Sequence, residues 1–172
     1  MNKLITIMNK VLSLFCISLS SVLVVCVSWQ VFSRYVLNAP STFTDEVARF
    51  LFIWVGLMGA AYTLGQKRHL AIDLLAMKIE HDEVKHNKLK LLINMISMSF
   101  ASIIMVYGGG RLMLKTLATG QVSPALGIEM GLVYAAIPLA GLFMVIYLVQ
   151  DILENIAFMT SKNTNSSTLS NQ

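Results

Sequence analysis

The chain has 172 residues, a formal net charge of +4 and a hydrophobic fraction of 56%, with only 13% of its residues charged. An ordinary soluble domain carries about 25% charged residues, so the composition excludes a water-soluble globule, and the length leaves room for one compact helical unit. The cations border apolar runs and do not line one helical face between aromatics, which points to orientation in a membrane and away from nucleic acid.

In chain order, the stretches free of charge are about 11–33, 50–66, 91–110 and 130–150. Each has roughly the 17 to 25 residues that a helix needs to cross the hydrocarbon core. The alternating ten-residue segments of a membrane barrel are absent. The fold class expected is therefore an all-α membrane protein with four transmembrane helices, forming one domain over residues 1–160. The first run follows Lys3 and Lys10. It exceeds the roughly 7 to 15 residues of a secretory signal core and has no small-residue cleavage pattern, so it is expected to remain as a span.

Lysine and arginine set the orientation. Lys3, Lys10, Lys67, Arg68, Lys78, Lys85, Lys88, Lys90 and Lys162 fall in the amino-terminal segment, the middle loop and the tail, against Arg34, Arg49, Arg111 and Lys115 in the other two loops. The positive-inside bias then predicts that both termini and the middle loop are cytoplasmic. Residues 69–79 of that loop are mostly apolar, and read either as an interfacial helix or as an extension of the second span. Residues 161–172 have one apolar residue, Leu169, and are expected to form a disordered cytoplasmic tail.

An ionisable residue in mid-span would mark an ion path, and the four charge-free stretches hold none. That disfavours a self-sufficient pump or small exporter and favours a helper to a separate transporting partner. The three histidines, His69, His81 and His86, all lie in the middle loop, so haem between the helices is disfavoured. A tetraspan anchor of a redox enzyme is the alternative reading. Cys16 and Cys26 are about 15 Å apart on one helix and cannot bridge within it. No metal-ligand spacing or catalytic constellation is present, so neither an enzyme nor a cofactor is expected. Small residues four apart, Gly56 with Ala60, Ala61 with Gly65, Gly127 with Gly131 and Gly131 with Ala135, suit close helix packing. Pro138 should kink the fourth span.

Residues 29–62 are the most informative. Thr42 or Thr44 is a candidate N-cap, Asp45 and Glu46 favour a helix start, and Asp45 and Arg49 share a helical face. Trp29, Tyr35 and Trp54 suit the interfacial belt. The pattern Trp29, Gln30, Phe32, Arg34, Tyr35, Pro40, Phe43, Thr44, Asp45, Glu46, Arg49 and Trp54, continued by Gly59, Ala60, Ala61, His69 and Asp73, resembles the small membrane subunit of the tripartite ATP-independent periplasmic (TRAP) transporters. The family's usual tryptophan before the acidic pair stands here as Phe43.

The resemblance implies an accessory subunit of the bacterial inner membrane that catalyses nothing and braces a large membrane subunit. The large subunit would carry the ion and substrate sites, and a periplasmic binding protein would deliver a carboxylate such as sialic acid or a C4-dicarboxylate, with sodium as the driving ion. On this reading Trp29, Arg34, Tyr35, Phe43, Asp45, Glu46, Arg49 and Trp54 form the external partner or membrane interface, and His69 and Asp73 are cytoplasmic contacts.

Overall fold

The computed structural model describes residues 2–66 and 83–169. His69, Asp73 and the whole 69–79 stretch lie outside the described residues.

Among the described residues, four helices are long and apolar enough to cross a membrane: Ile5–Tyr35, Thr42–Gly65, Leu91–Ala118 and Met130–Leu153. All four expected spans are present, and each helix extends beyond its charge-free stretch at one end or both, the second by eight residues at its start and the third by eight at its end. The first two are α1 (Asn2–Tyr35) and α2 (Thr42–Gly65). The third is compound, with α3 (Glu83–Phe100) leading through a π-helical segment (Ala101–Gly108) into α4 (Gly109–Ala118). The fourth is split into α5 (Met130–Tyr134) and α6 (Ala136–Leu169). Pro138 explains the split, since it has no N–H to offer the carbonyl of Tyr134 four residues back. The kink predicted from sequence is a short break around Ala135.

Packing runs from α1 to α2, from α2 to α6 and from α6 to the third span, so the fourth span sits centrally between the second and third. Leu12, Met58, Ala61, Met105, Ala140 and Tyr147 form its buried cluster. Close approach is achieved with glycine: a Cβ on Gly141 would stand 2.8 Å from Met105 Cβ, and one on Gly65 would meet the Tyr147 ring at 2.5 Å. The small pairs read from sequence divide accordingly. Ala61, Gly65 and Gly131 pack inside the bundle, Gly56 faces open space, and Gly127 serves a loop at φ +65°.

Two polar links tie the bundle at the end opposite the α1–α2 connection. Tyr147 donates its hydroxyl to Asn9 Oδ1 at 2.6 Å, and the buried Asn94 donates its amide to Asp151 Oδ2 at 2.6 Å. Such interhelical bonds contribute about 0.6 to 2 kcal/mol in membranes. Asp151 thus belongs to the bundle, although a reading by charge-free stretches puts it just beyond the fourth span. Residues 161–169 continue α6 where composition predicts disorder. Asn, Ser and Thr are weak helix formers, but extending an existing helix needs no new nucleus.

Candidate partner interface

The connection from α1 to α2 shapes one rim of the bundle. α1 ends at Tyr35, and the chain turns through Asn38, whose φ of 49° is left-handed. Asparagine tolerates that region better than most residues. After Pro40, Ser41 takes an extended conformation and its hydroxyl accepts from Thr44 N–H at 3.4 Å, so Ser41 is the N-cap of α2. The sequence reading chose Thr42 or Thr44. Both carry hydroxyls, but Pro40 holds φ and forbids continuation of a helix through its own position, which sets the cap one residue later.

Asp45 and Glu46 are adjacent in sequence and part in space. Asp45 faces α1: its Oδ2 accepts from Arg49 Nη2 at 3.0 Å and its Oδ1 from Gln30 Nε2 at 3.4 Å. The Arg49 and Asp45 side chains remain 68% and 54% exposed, so this i,i+4 pair is worth only about 0.3–0.5 kcal/mol. Glu46 turns the other way, into the loop between the third and fourth spans. Its Oε2 accepts from the Ser123 hydroxyl, from Ala125 N–H at 3.1 Å and from Leu126 N–H at 3.2 Å.

The loop that Glu46 grips is itself built. Val122 and Glu129 form an antiparallel bridge, Ser123 N–H donates to Ile128 O at 2.9 Å, and Met130 N–H donates to Gln121 O at 2.9 Å. Gly120 and Gly127 take φ of +61° and +65°, which allows the tight reversal. Ser123 is buried at 2% exposure, so its hydroxyl has no water to turn to and relies on Glu46.

The remaining candidates divide by exposure. Tyr35, Phe43 and Trp29 are exposed, with the Trp29 and Phe32 rings 5.8 Å apart, and Arg34 is exposed beside them. Trp54 is set apart from these residues. It lies twelve residues, or about 18 Å, along α2 from Thr42 and packs edge-on to Phe15 at 6.1 Å. It lines an apolar groove of about 380 Å³ with Phe50, Leu126 and Leu132. It packs between α1 and α2 near the middle of α2. Ser123, Ala125 and Leu126 were not legible as functional positions, because a carboxylate that takes amides from a loop nearly eighty residues away leaves no spacing pattern.

With this geometry in place, comparison with known proteins is decisive. Residues 23–158 match the family described as tripartite ATP-independent periplasmic transporters, DctQ component. The chain belongs to this family. It is a TRAP transporter small permease subunit, a transport component of the inner membrane and not an enzyme.

Two relatives agree over nearly their full length. A Haemophilus influenzae protein provisionally named as a TRAP transporter small permease is 26% identical over 159 residues, covering 92% of this chain and 96% of the relative. The sialic acid TRAP transporter small permease protein SiaQ of Vibrio cholerae is 25% identical over 167 residues, covering 96% and 93%. A shorter match, 35% identical over 46 residues, is to the sialic acid TRAP transporter permease protein SiaT of H. influenzae, and spans 27% of this chain but 8% of that one. The redox-anchor alternative is not favoured by these TRAP relatives.

Proposed function

We propose that this small subunit braces a large membrane subunit while the latter carries a carboxylate inward, driven by an ion gradient, with sodium as the coupling ion. A periplasmic binding protein delivers the substrate. The observation that carries the reading is the family match over 23–158, on a bundle whose helices are joined to each other by packing and polar links and leave long apolar faces uncovered. The match of 46 residues of this chain to a segment of a much longer permease supports pairing with such a subunit. The relatives named for sialic acid make it the first substrate to try, with C4-dicarboxylates second.

The external rim, namely Trp29, Arg34, Tyr35, Phe43 and the Asp45–Arg49 pair, is the surface offered to the binding protein or to the large subunit. Glu46 acts there indirectly, by fixing the loop from Gln121 to Met130. Trp54 supports the rim from within, and His69 and Asp73 are carried as cytoplasmic contacts.

The test is tagged purification from native membranes in mild detergent, followed by uptake in proteoliposomes with sialic acid or a C4-dicarboxylate under an imposed sodium gradient. Co-purification of a larger membrane protein and sodium-dependent uptake are expected. A haem band with a soluble redox partner, or uptake unaffected by omitting this subunit, would sink the proposal. Arg49→Glu should lower uptake at unchanged expression, because it replaces the exposed pair with two like charges.

A further inference from the structure

Buried side chains are unevenly spread along the bundle. Leu12, Met58, Ala61, Met105, Ala140 and Tyr147 form the core, and they lie at mid-span or toward the end tied by Asn9 and Tyr147. At the other end packing is thin: from Thr42 to Leu57, α2 buries one side chain, the small Ala48. There the α1–α2 hairpin and the hairpin of the third and fourth spans part around the groove of about 380 Å³, with Leu19, Val47 and Leu51 on one side and Leu126, Ile128 and Val133 on the other. Walls that do not touch forgo the dispersion attraction that holds close-packed helices together.

Glu46 spans that parting. It sits near the start of α2, and its Oε2 takes the Ser123 hydroxyl and the N–H groups of Ala125 and Leu126. Among the described residues, these are the side-chain hydrogen bonds that join the two hairpins at this end. Bonds to a carboxylate are roughly twice as strong as neutral ones. Leu126 shows the double duty of the loop: its N–H is held by Glu46 while its side chain forms part of the groove wall. The gripped segment lies between Gly120 and Gly127, both at positive φ, and glycines at both ends let the loop change angle without a Cβ penalty.

We propose that Glu46 is a clasp between the two hairpins: closed, it holds them together at this end, and released, it lets them spread about the packed far end and widen the groove. The far end serves as the hinge, because the Tyr147 ring fills the space over Gly65 of α2 and its hydroxyl is bonded to Asn9 of α1, so both helices of the first hairpin are fixed to the fourth span there. Asp45 and Arg49 stand on the same turn of α2 as Glu46, so the clasp ties the shape of their exposed surface to the spacing of the hairpins. That consequence rests on the reading of the rim as a partner surface; the clasp itself does not.

The test uses the full chain in lipid nanodiscs, with Cys16 and Cys26 replaced by alanine. Nitroxide labels are placed on Phe43→Cys with Leu114→Cys, across the parting, and in a second sample on Ile7→Cys with Met95→Cys, across the packed end; all four positions are exposed. Distances are read by double electron–electron resonance. Glu46→Ala should lengthen the first distance by about 2 Å or more, the scale that separates rearrangement from side-chain adjustment. Ser123→Ala should shift it in the same direction. The second distance should stay as in the parent, which also shows that the variants are folded.

An unchanged first distance in both variants, with the second intact, would overturn the clasp and leave Glu46 as a fastening of the loop alone. Lengthening at both ends would overturn the hinge, because release would then loosen the whole bundle. Neither outcome bears on the reading of the chain as a partner subunit, which co-purification tests separately.

Discussion

Gly109 offers a sharp quantitative check on the bundle. It is buried where the third span crosses α6, and a Cβ there would stand 2.6 Å from Ile137 Cγ2, 3.1 Å from Ile137 Cβ and 3.3 Å from Pro138 Cδ. Neither neighbour yields easily. Isoleucine in a helix is held to one χ1 rotamer, and the proline ring is fixed to the backbone. Gly109→Ala must therefore push the helices apart, an overpacking cost of about 1–3 kcal/mol. Helix propensity acts in the other direction, favouring alanine over glycine by about 1 kcal/mol.

Gly110, the next residue of α4, separates the two effects, because a Cβ there meets nothing within 4 Å. Gly110→Ala takes the propensity gain alone, so the difference between the two alanine variants isolates the crossing. That difference is about 1–3 kcal/mol, which for a chain of this length corresponds to about 2–12 °C in melting temperature. The assay is thermal unfolding in detergent, followed by intrinsic tryptophan fluorescence. Adding Ile137→Ala to Gly109→Ala removes the nearest methyl and should recover part of the loss, as coupled neighbours do. Equal melting temperatures for Gly109→Ala and Gly110→Ala would refute the close crossing.

Three further outcomes follow from the same geometry. Ser123→Ala and Glu46→Ala should each free the loop from Gln121 to Met130, seen as faster protease cleavage there, and the double variant should be little worse than either single one because both remove one interaction; additive effects would show that the latch is not a unit. Tyr147→Phe removes the link to Asn9 and should cost about 0.5–1.5 kcal/mol in thermal stability, with Asn9→Ala adding little on top; strictly additive losses would argue against the bond. Arg49→Ala should leave the melting temperature within about 1–2 °C of the parent, since its partner is exposed, so any loss of uptake in that variant reads out docking and not folding.

The local pieces of the rim were legible in varying degree. Asp45 and Arg49 pair as their four-residue spacing predicts, because helix geometry alone brings i and i+4 side chains together. Glu46 looked like part of the same surface cluster, and it faces instead a loop whose own pattern of glycines and small residues carried no hint of a carboxylate. Trp54 read as a membrane-surface anchor by residue type, and its contact with Phe15 on α1 was not legible, because it joins residues thirty-nine positions apart.

What the sequence determined by itself is the class of the molecule: four membrane-spanning helices and the motif around Trp29 to Trp54 that marks the transporter family. Hydrocarbon permits only backbone that satisfies its own hydrogen bonds, so apolar length alone dictates helices. Tertiary structure decided which face of each helix is spent on the bundle. Gly131 and Gly141 are consumed in crossings while Gly56 is left open, Asp151 is drawn inward to Asn94, and Arg111 is left facing outward over Tyr107. In a span that is apolar all round, one-dimensional pattern carries little information about direction. Only the contacts between helices assign it.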